Sequence, residues 1–294
     1  METPTPPRFL RSQRWRERRQ RLVPNASIID PREFSVDVIS RADAAAYVKR
    51  SHYTRSYVAS KMAAGLFRNG KGGVSQLVGV AAFSNPMTSA VIPCHTGLPA
   101  SQGLDLGRLV LDHDVAGNGE SYFVARAWKL LRSEHPAIQA FTAFADPLIR
   151  RDADGHAYQI GHCGQLYASL SAHYRGRSSP RTLLLLPDGR TFSARAASKI
   201  RNYETGHAYA VDQLVEAGAA PPALNADLRD WYDDLAAGPF FQRLRHPGSH
   251  VFSFPLTLKA RLASRALPAL RPPRRDPAVT SGDVTALPLL ERAV

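Results

Sequence analysis

A chain of 294 residues, 44% hydrophobic and 21% charged, carries enough apolar material for a sizeable core, as one large domain or two small ones. No apolar run reaches the roughly 18 residues of a membrane-spanning helix, and no apolar segment follows the basic N-terminus as in a secretory signal. Two cysteines, Cys94 and Cys163, give neither a disulfide framework nor a zinc spacing, so a reducing cytoplasm is expected.

The net charge of +13 is concentrated at the ends, with eight arginines against three acids in residues 1–32 and seven basic residues against three acids in 259–294. This pattern predicts a disordered basic arm over 1–32, a folded domain over 33–258 and a Pro-rich basic tail over 259–294. Arginine-rich arms suit a phosphate backbone, which makes Arg14, Arg16, Arg18 and Arg19 candidate contacts. A solubilising tail, or binding to another polyanion, is the competing reading.

Phe34 to Ile39 reads as a first strand. Ser40 with Asp43 forms an N-cap signal for a helix through Arg50. The polar aromatic cluster Ser51-His52-Tyr53-Thr54-Arg55-Ser56-Tyr57 comes next. Val74 to Ser84 and Ser89 to Cys94 read as two strands joined by Asn85-Pro86-Met87. Leu106 to Leu111 is a short buried strand, in which Arg108 must find a partner. Asp105, Asp112 and Asp146 are candidate partners; a position facing a cleft is the alternative.

Gly117-Asn118-Gly119 then turns into a helix whose Tyr122, Ala125, Trp128 and Leu131 form one face. A glycine turn at a helix N-terminus, with Ser121 in the first turn, attracts anions through its backbone N–H groups. The run Ala137 to Ala145 is a further strand, and Asp146-Pro147 sits at its C-terminal end. Gly161 to Tyr174 reads as a helix carrying Tyr167. Arg181 to Leu186 and Arg190 to Ser193 read as strands, 195–238 as mostly helical, and Val251 to Leu256 as the last strand. His246 and His250 flank Pro247-Gly248, which prevents a helical metal spacing, so a loop contact is expected.

Strand, x-x-Gly-x-Gly turn and helix, followed by a strand and a tyrosine-bearing helix, resemble the core of the GNAT acyltransferases. Leu106 to Leu111, Asn118 with Ser121, Ala145-Asp146-Pro147, Gly161 to Ala168, Tyr174-Arg175-Gly176 and the upstream pair His52-Tyr53 resemble, in order, the motifs of the Mom family of phage DNA-modification proteins. This resemblance covers roughly residues 36–177. It implies an α/β fold of GNAT type, a mixed central sheet flanked by helices, with core motifs over 104–177 and a helical insertion over about 195–245.

The resemblance also implies conversion of adenine N6 to N6-carbamoylmethyladenine in double-stranded DNA, which protects phage DNA from restriction in a host cytoplasm. It implies catalytic roles for Asp146, Tyr167, His52 and Tyr53. Arg108, Gly117, Asn118, Gly119 and Ser121 would hold acetyl-CoA or a related donor. Iron is associated with the family, with His52 and His162 as candidate ligands. The insert from Leu148 to Gln159 makes Tyr158 a rival to Tyr167. A carbamoylmethyl group joins nitrogen to what would be the methyl carbon of acetate, which ordinary acyl transfer does not do. The alternatives are a GNAT N-acetyltransferase acting on a small amine or a protein lysine, and a non-catalytic DNA-binding protein.

Overall fold

The computed structural model describes residues 10–16, 19–24, 28–52, 54, 56–148, 150–151, 157–159, 161–268 and 270–273, with side chains from 28 onward except at 71, 150–151 and 157–159. Tyr53 and Arg18, and the side chains of Arg14, Arg16, Arg19 and Tyr158, lie outside these.

An antiparallel pair, β1 (Leu10–Arg16) and β2 (Arg19–Pro24), precedes the domain, where the composition predicts an unstructured arm. Then come β3 (Phe34–Val38), α1 (Arg41–Ser51), β4 (Ser60–Asn69), β5 (Ser75–Ser84), α2 (Val91–Thr96), β6 (Gly103–Leu111), α3 (Gly119–Glu134) and β7 (Ala140–Ala145). A two-stranded pair, β8 (Arg150–Arg151) and β9 (Ala157–Gln159), leads to α4 (Gln165–Ser169) and β10 (His173–Arg177). A module is inserted next: β11 (Arg181–Leu185), β12 (Thr191–Phe192), α5 (Ala194–Arg201), α6 (His207–Glu216), α7 (Leu228–Ala237) and β13 (Gln242–His246). The chain returns through β14 (His250–Pro255) and α8 (Leu258–Arg265).

Seven strands form the main sheet in the order β10-β14-β7-β6-β5-β4-β3. All neighbouring pairs are antiparallel except β6 and β7, which run parallel and pair only from Gly103↔Ala140 to Asp105↔Thr142. Beyond Asp105 the two strands part. This mixed sheet with flanking helices is the α/β architecture expected.

The main core lies between the sheet and α3, with Phe123, Val124, Ala127 and Leu131 against Leu104, Leu106, Phe141 and Phe254. Phe141 stacks on Phe254 at 4.3 Å and meets Phe83 edge-on at 5.3 Å. The module between β10 and β14 has a second core of its own around Leu186, Ile200, Leu214, Tyr232 and Phe241.

Several expected elements differ. Ser89 to Cys94 is not a strand: Val91–Thr96 is the short helix α2, with Pro93 in its first turn and Gly97 closing it in the left-handed conformation. The strand that pairs with β3 is β4, illegible in the sequence because its centre is Ala63-Ala64-Gly65 rather than β-branched residues. The helix expected over 161–174 is only the short α4; Ser171 turns the chain at φ 60° and His173 onward is strand β10. Strands β11 and β12 are as expected, but the helical insertion expected over about 195–245 also contains strand β13, and the C-terminal segment opens with helix α8 rather than a tail.

Candidate functional site

The parting of β6 and β7 organises the site. Along β6, Leu104 and Leu106 point into the core beneath α3. Alternation alone would send Arg108 the same way. Instead the register with β5 slips by one, Phe83 facing Leu106 and Ala82 facing Arg108, so Gly107 is an extra residue. Such a bulge reverses the facing of the residues beyond it. Leu109 therefore packs on the core, and Arg108 emerges on the opposite face. There its Nε donates to Ser56 O at 2.8 Å, one terminal nitrogen donates to Ser56 Oγ at 3.0 Å, and the other to Gly107 O at 2.6 Å. Of the three candidate carboxylates, Asp105 bonds Thr142, Asp112 bonds the Tyr47 hydroxyl, and Asp146 bonds His246.

His52 caps the C-terminus of α1 and is half-buried. Its Nδ1 accepts the Thr54 N–H at 3.2 Å and lies 2.9 Å from Thr54 Oγ1, an arrangement that assigns the ring proton to Nε2. Burial, then the charges of Arg108 and His162, hold this imidazole down to about 3. His52 is thus a neutral hydrogen-bond donor near neutral pH. The charges of Arg108 and His162 act on His52 from two other segments of the chain. His162 is exposed, and its backbone N–H donates to Asp146 O at 2.7 Å.

Phe141, Ala143 and Ala145 of β7 face the core, so alternation puts Thr142 and Asp146 on the face that carries Arg108. Asp146 is 8% exposed. Its Oδ1 accepts the Leu148 N–H at 3.0 Å and His246 Nε2–H at 2.9 Å. His246 is fully buried, and its Nδ1 accepts the Gly248 N–H at 3.0 Å. One ring nitrogen accepts, so the other donates, and the imidazole is fixed as a donor to the carboxylate. The sequence pattern predicts a loop contact for His246; its register at the end of β13 delivers it instead to Asp146, 100 positions away. Alternation of Leu244 and His246 in an otherwise basic strand is the only signal that points to it.

Asp105 stands at the last β6–β7 pair, bonded to Thr142, and burial raises its carboxyl to about 6. Tyr167 belongs to the short helix α4. Its ring is 6% exposed and packs between Phe252 at 5.4 Å and Phe254 at 6.0 Å, with His162 6.4 Å away. That is a position in the core lining beneath His162.

Past the opening, α3 begins at the glycine turn. Asn118 is left-handed at φ 64° and exposed, without a side-chain cap, between buried Gly117 and Gly119. Ser121 is in the first turn and half-buried. Gly117 O accepts the Ile29 N–H at 2.8 Å, which moors the segment leading out of β2 to this turn. A phosphate-bearing acyl donor fits this arrangement: the first-turn amides and dipole of a 16-residue helix suit a pyrophosphate, and the β6 edge beyond Asp105 suits an extended amide chain. Iron fits less well. Among the described residues no three His, Cys, Asp or Glu converge on one point.

Among solved structures, a tandem GNAT protein from the clavulanic acid biosynthesis pathway, determined without AcCoA, resembles this chain with a TM-score of 0.39 and 10% identity, over 76% of this chain and 99% of that one. No curated protein sequence matches. The model of the Mom protein family matches residues 33–224, which contain His52, Arg108, the glycine turn, Asp146, His162 and Tyr167; the chain belongs to the Mom protein family.

Proposed function

We propose that this protein is a DNA-modifying transferase that converts adenine N6 in double-stranded DNA to N6-carbamoylmethyladenine. The observation that carries this reading is the match of the Mom family to residues 33–224, which contain His52, Arg108 and His162, whose charges act on one another, and Asp146, whose backbone O accepts the His162 N–H.

The exocyclic amine of adenine is a weak nucleophile because its lone pair is delocalised into the ring. Asp146, held by His246 and the Leu148 amide, accepts a hydrogen bond from N6–H and so fixes the orientation of the amine in the site. His52 donates through Nε2 to an acceptor on the base or on the transferred group, and its neutrality keeps a second cation away from Arg108. Arg108, immobilised by Ser56, stabilises negative charge on the donor. Gly117, Asn118, Gly119 and Ser121 hold the donor's phosphates; when bound, that donor supplies the two-carbon unit. No step is assigned to iron. The target base lies within a duplex, so it must leave the stack to reach Asp146.

In cells expressing the protein, plasmid DNA should resist restriction enzymes whose sites contain adenine, and Asp146→Asn should restore cutting. Full cutting of DNA from cells that hold soluble, folded wild-type protein would redirect the reading to acetylation of a small amine.

A further inference from the structure

The chain leaves the main sheet along β10 and β11 and returns along β13 and β14. These four strands form one antiparallel ribbon. Arg177 faces His250, Ser178 N–H donates to Ser249 O at 2.9 Å, and Arg181 faces His246. Gly248 is required at its waist: it is left-handed at φ 95°, and a Cβ there would stand 1.8 Å from Ser178 O.

Residues 173–185 and 242–255 include Arg175, Arg177, Arg181, Arg243 and Arg245, and no Asp or Glu. Arg175 is turned inward onto Ser253 and Ser264, and Arg243 donates to Ala236 O. Arg177, Arg181 and Arg245 are exposed around the waist, with Arg181 on the face of its partner His246 and Arg245 on the opposite face with its partner Thr182. Among the described residues none of the three is ion-paired to a carboxylate, whereas Asp188, Glu204 and Asp233 of the module pair with Arg190, Arg195 and Arg201. Exposed arginines without acids cost little in water, yet a row of them repels itself and favours a polyanion. The waist is also the part of the ribbon nearest the chemistry, since His246, opposite Arg181, holds Asp146.

We infer that the waist of this ribbon, through Arg177 and Arg181, is the surface that grips the phosphate backbone of duplex DNA beside the target base. The inference rests on the proposed DNA modification and deepens it. Each DNA strand presents one phosphate per about 3.4 Å of axis, and strands rise about 3.3 Å per residue, so Arg177 and Arg181 reach separate phosphates. Contacts of this kind orient the duplex without reading its sequence.

The test is binding of a short fluorescent DNA duplex to the full chain across a salt series, for wild type, the double variant Arg177→Ala/Arg181→Ala, and the control Lys129→Ala/Arg132→Ala on α3. Thermal melts confirm that the variants fold. Loss of two phosphate contacts should lower the slope of log K against log salt by about 1.8 and weaken binding at least about tenfold, with the control unchanged. An unchanged slope in the double variant, or an equal loss in the control, would overturn the ribbon assignment while leaving DNA modification standing. Failure of the wild-type chain to bind duplex at all would remove the underlying reading as well. Tighter binding of an RNA duplex of the same length would overturn the assignment to DNA.

Discussion

Replacing His246 with alanine tests whether the module and the site are one unit. The substitution removes a buried donor to the Asp146 carboxylate, a hydrogen bond to an ionised group of about 1.5–3 kcal/mol. It also orphans the buried Gly248 N–H, at about 1–3 kcal/mol. Together these match the roughly 3–5 kcal/mol seen when one partner of a buried pair is deleted. Denaturant unfolding followed by circular dichroism should show a loss of about that size. His246→Gln retains both an N–H donor and an oxygen acceptor and should lose under about 2 kcal/mol. Base modification should fall about a hundredfold in the alanine variant, because a carboxylate released by even 1 Å no longer meets N6 correctly. A His246→Ala protein within about 1 kcal/mol of wild type, with full activity, would refute the reasoning.

Other outcomes depend on the same geometry. His52 is held to about 3, below its unfolded value of 6.5, so the unfolded chain binds the extra proton between these limits. Its neutral form therefore contributes stability that is lost as pH falls from 6.5, about 1.4 kcal/mol per pH unit; His52→Gln should flatten that slope in urea melts from pH 7 to 5. Asp105 is raised to about 6 from 3.8, so it favours the folded state at low pH and opposes it as pH rises through this window; Asp105→Asn should gain stability relative to wild type at pH 8 but not at pH 4. Gly164→Ala places a Cβ 2.3 Å from the Phe252 ring at φ 77° and should lower the melting temperature, with modification falling as α4 shifts. Phe141→Ala opens the core between Phe83, Trp128 and Phe254 and should cost about 3–5 kcal/mol in denaturant unfolding.

Much of this fold is legible in the sequence because its signals are local. Ser40 capping α1 through the Asp43 amide, the apolar face of α3, and the Asp-Pro ending β7 each lie within a few residues. The glycine turn before α3 is legible for the same reason. The rest depends on distant pairing. β4 is a strand because β3 and β5 flank it, despite its alanines and Gly65. Val91-Ile92 looks β-forming, yet it packs as a helix against β7 and β14. β10 carries residues that continue the α4 pattern, but pairing with β14 claims them. In the site, the residue types of Arg108 and Asp146 are visible, but the Gly107 bulge that turns one and the His246 that holds the other are three-dimensional facts. The motif order suggests Tyr167 as an active-site group, and its ring packs in the core against Phe252 and Phe254.

The most direct test is mass spectrometry of nucleosides from plasmid DNA of cells expressing the wild-type protein or Asp146→Asn. The account predicts a deoxyadenosine heavier by one carbamoylmethyl group in the wild type and its loss in Asp146→Asn. Unmodified deoxyadenosine in both, with folded protein present, would contradict it.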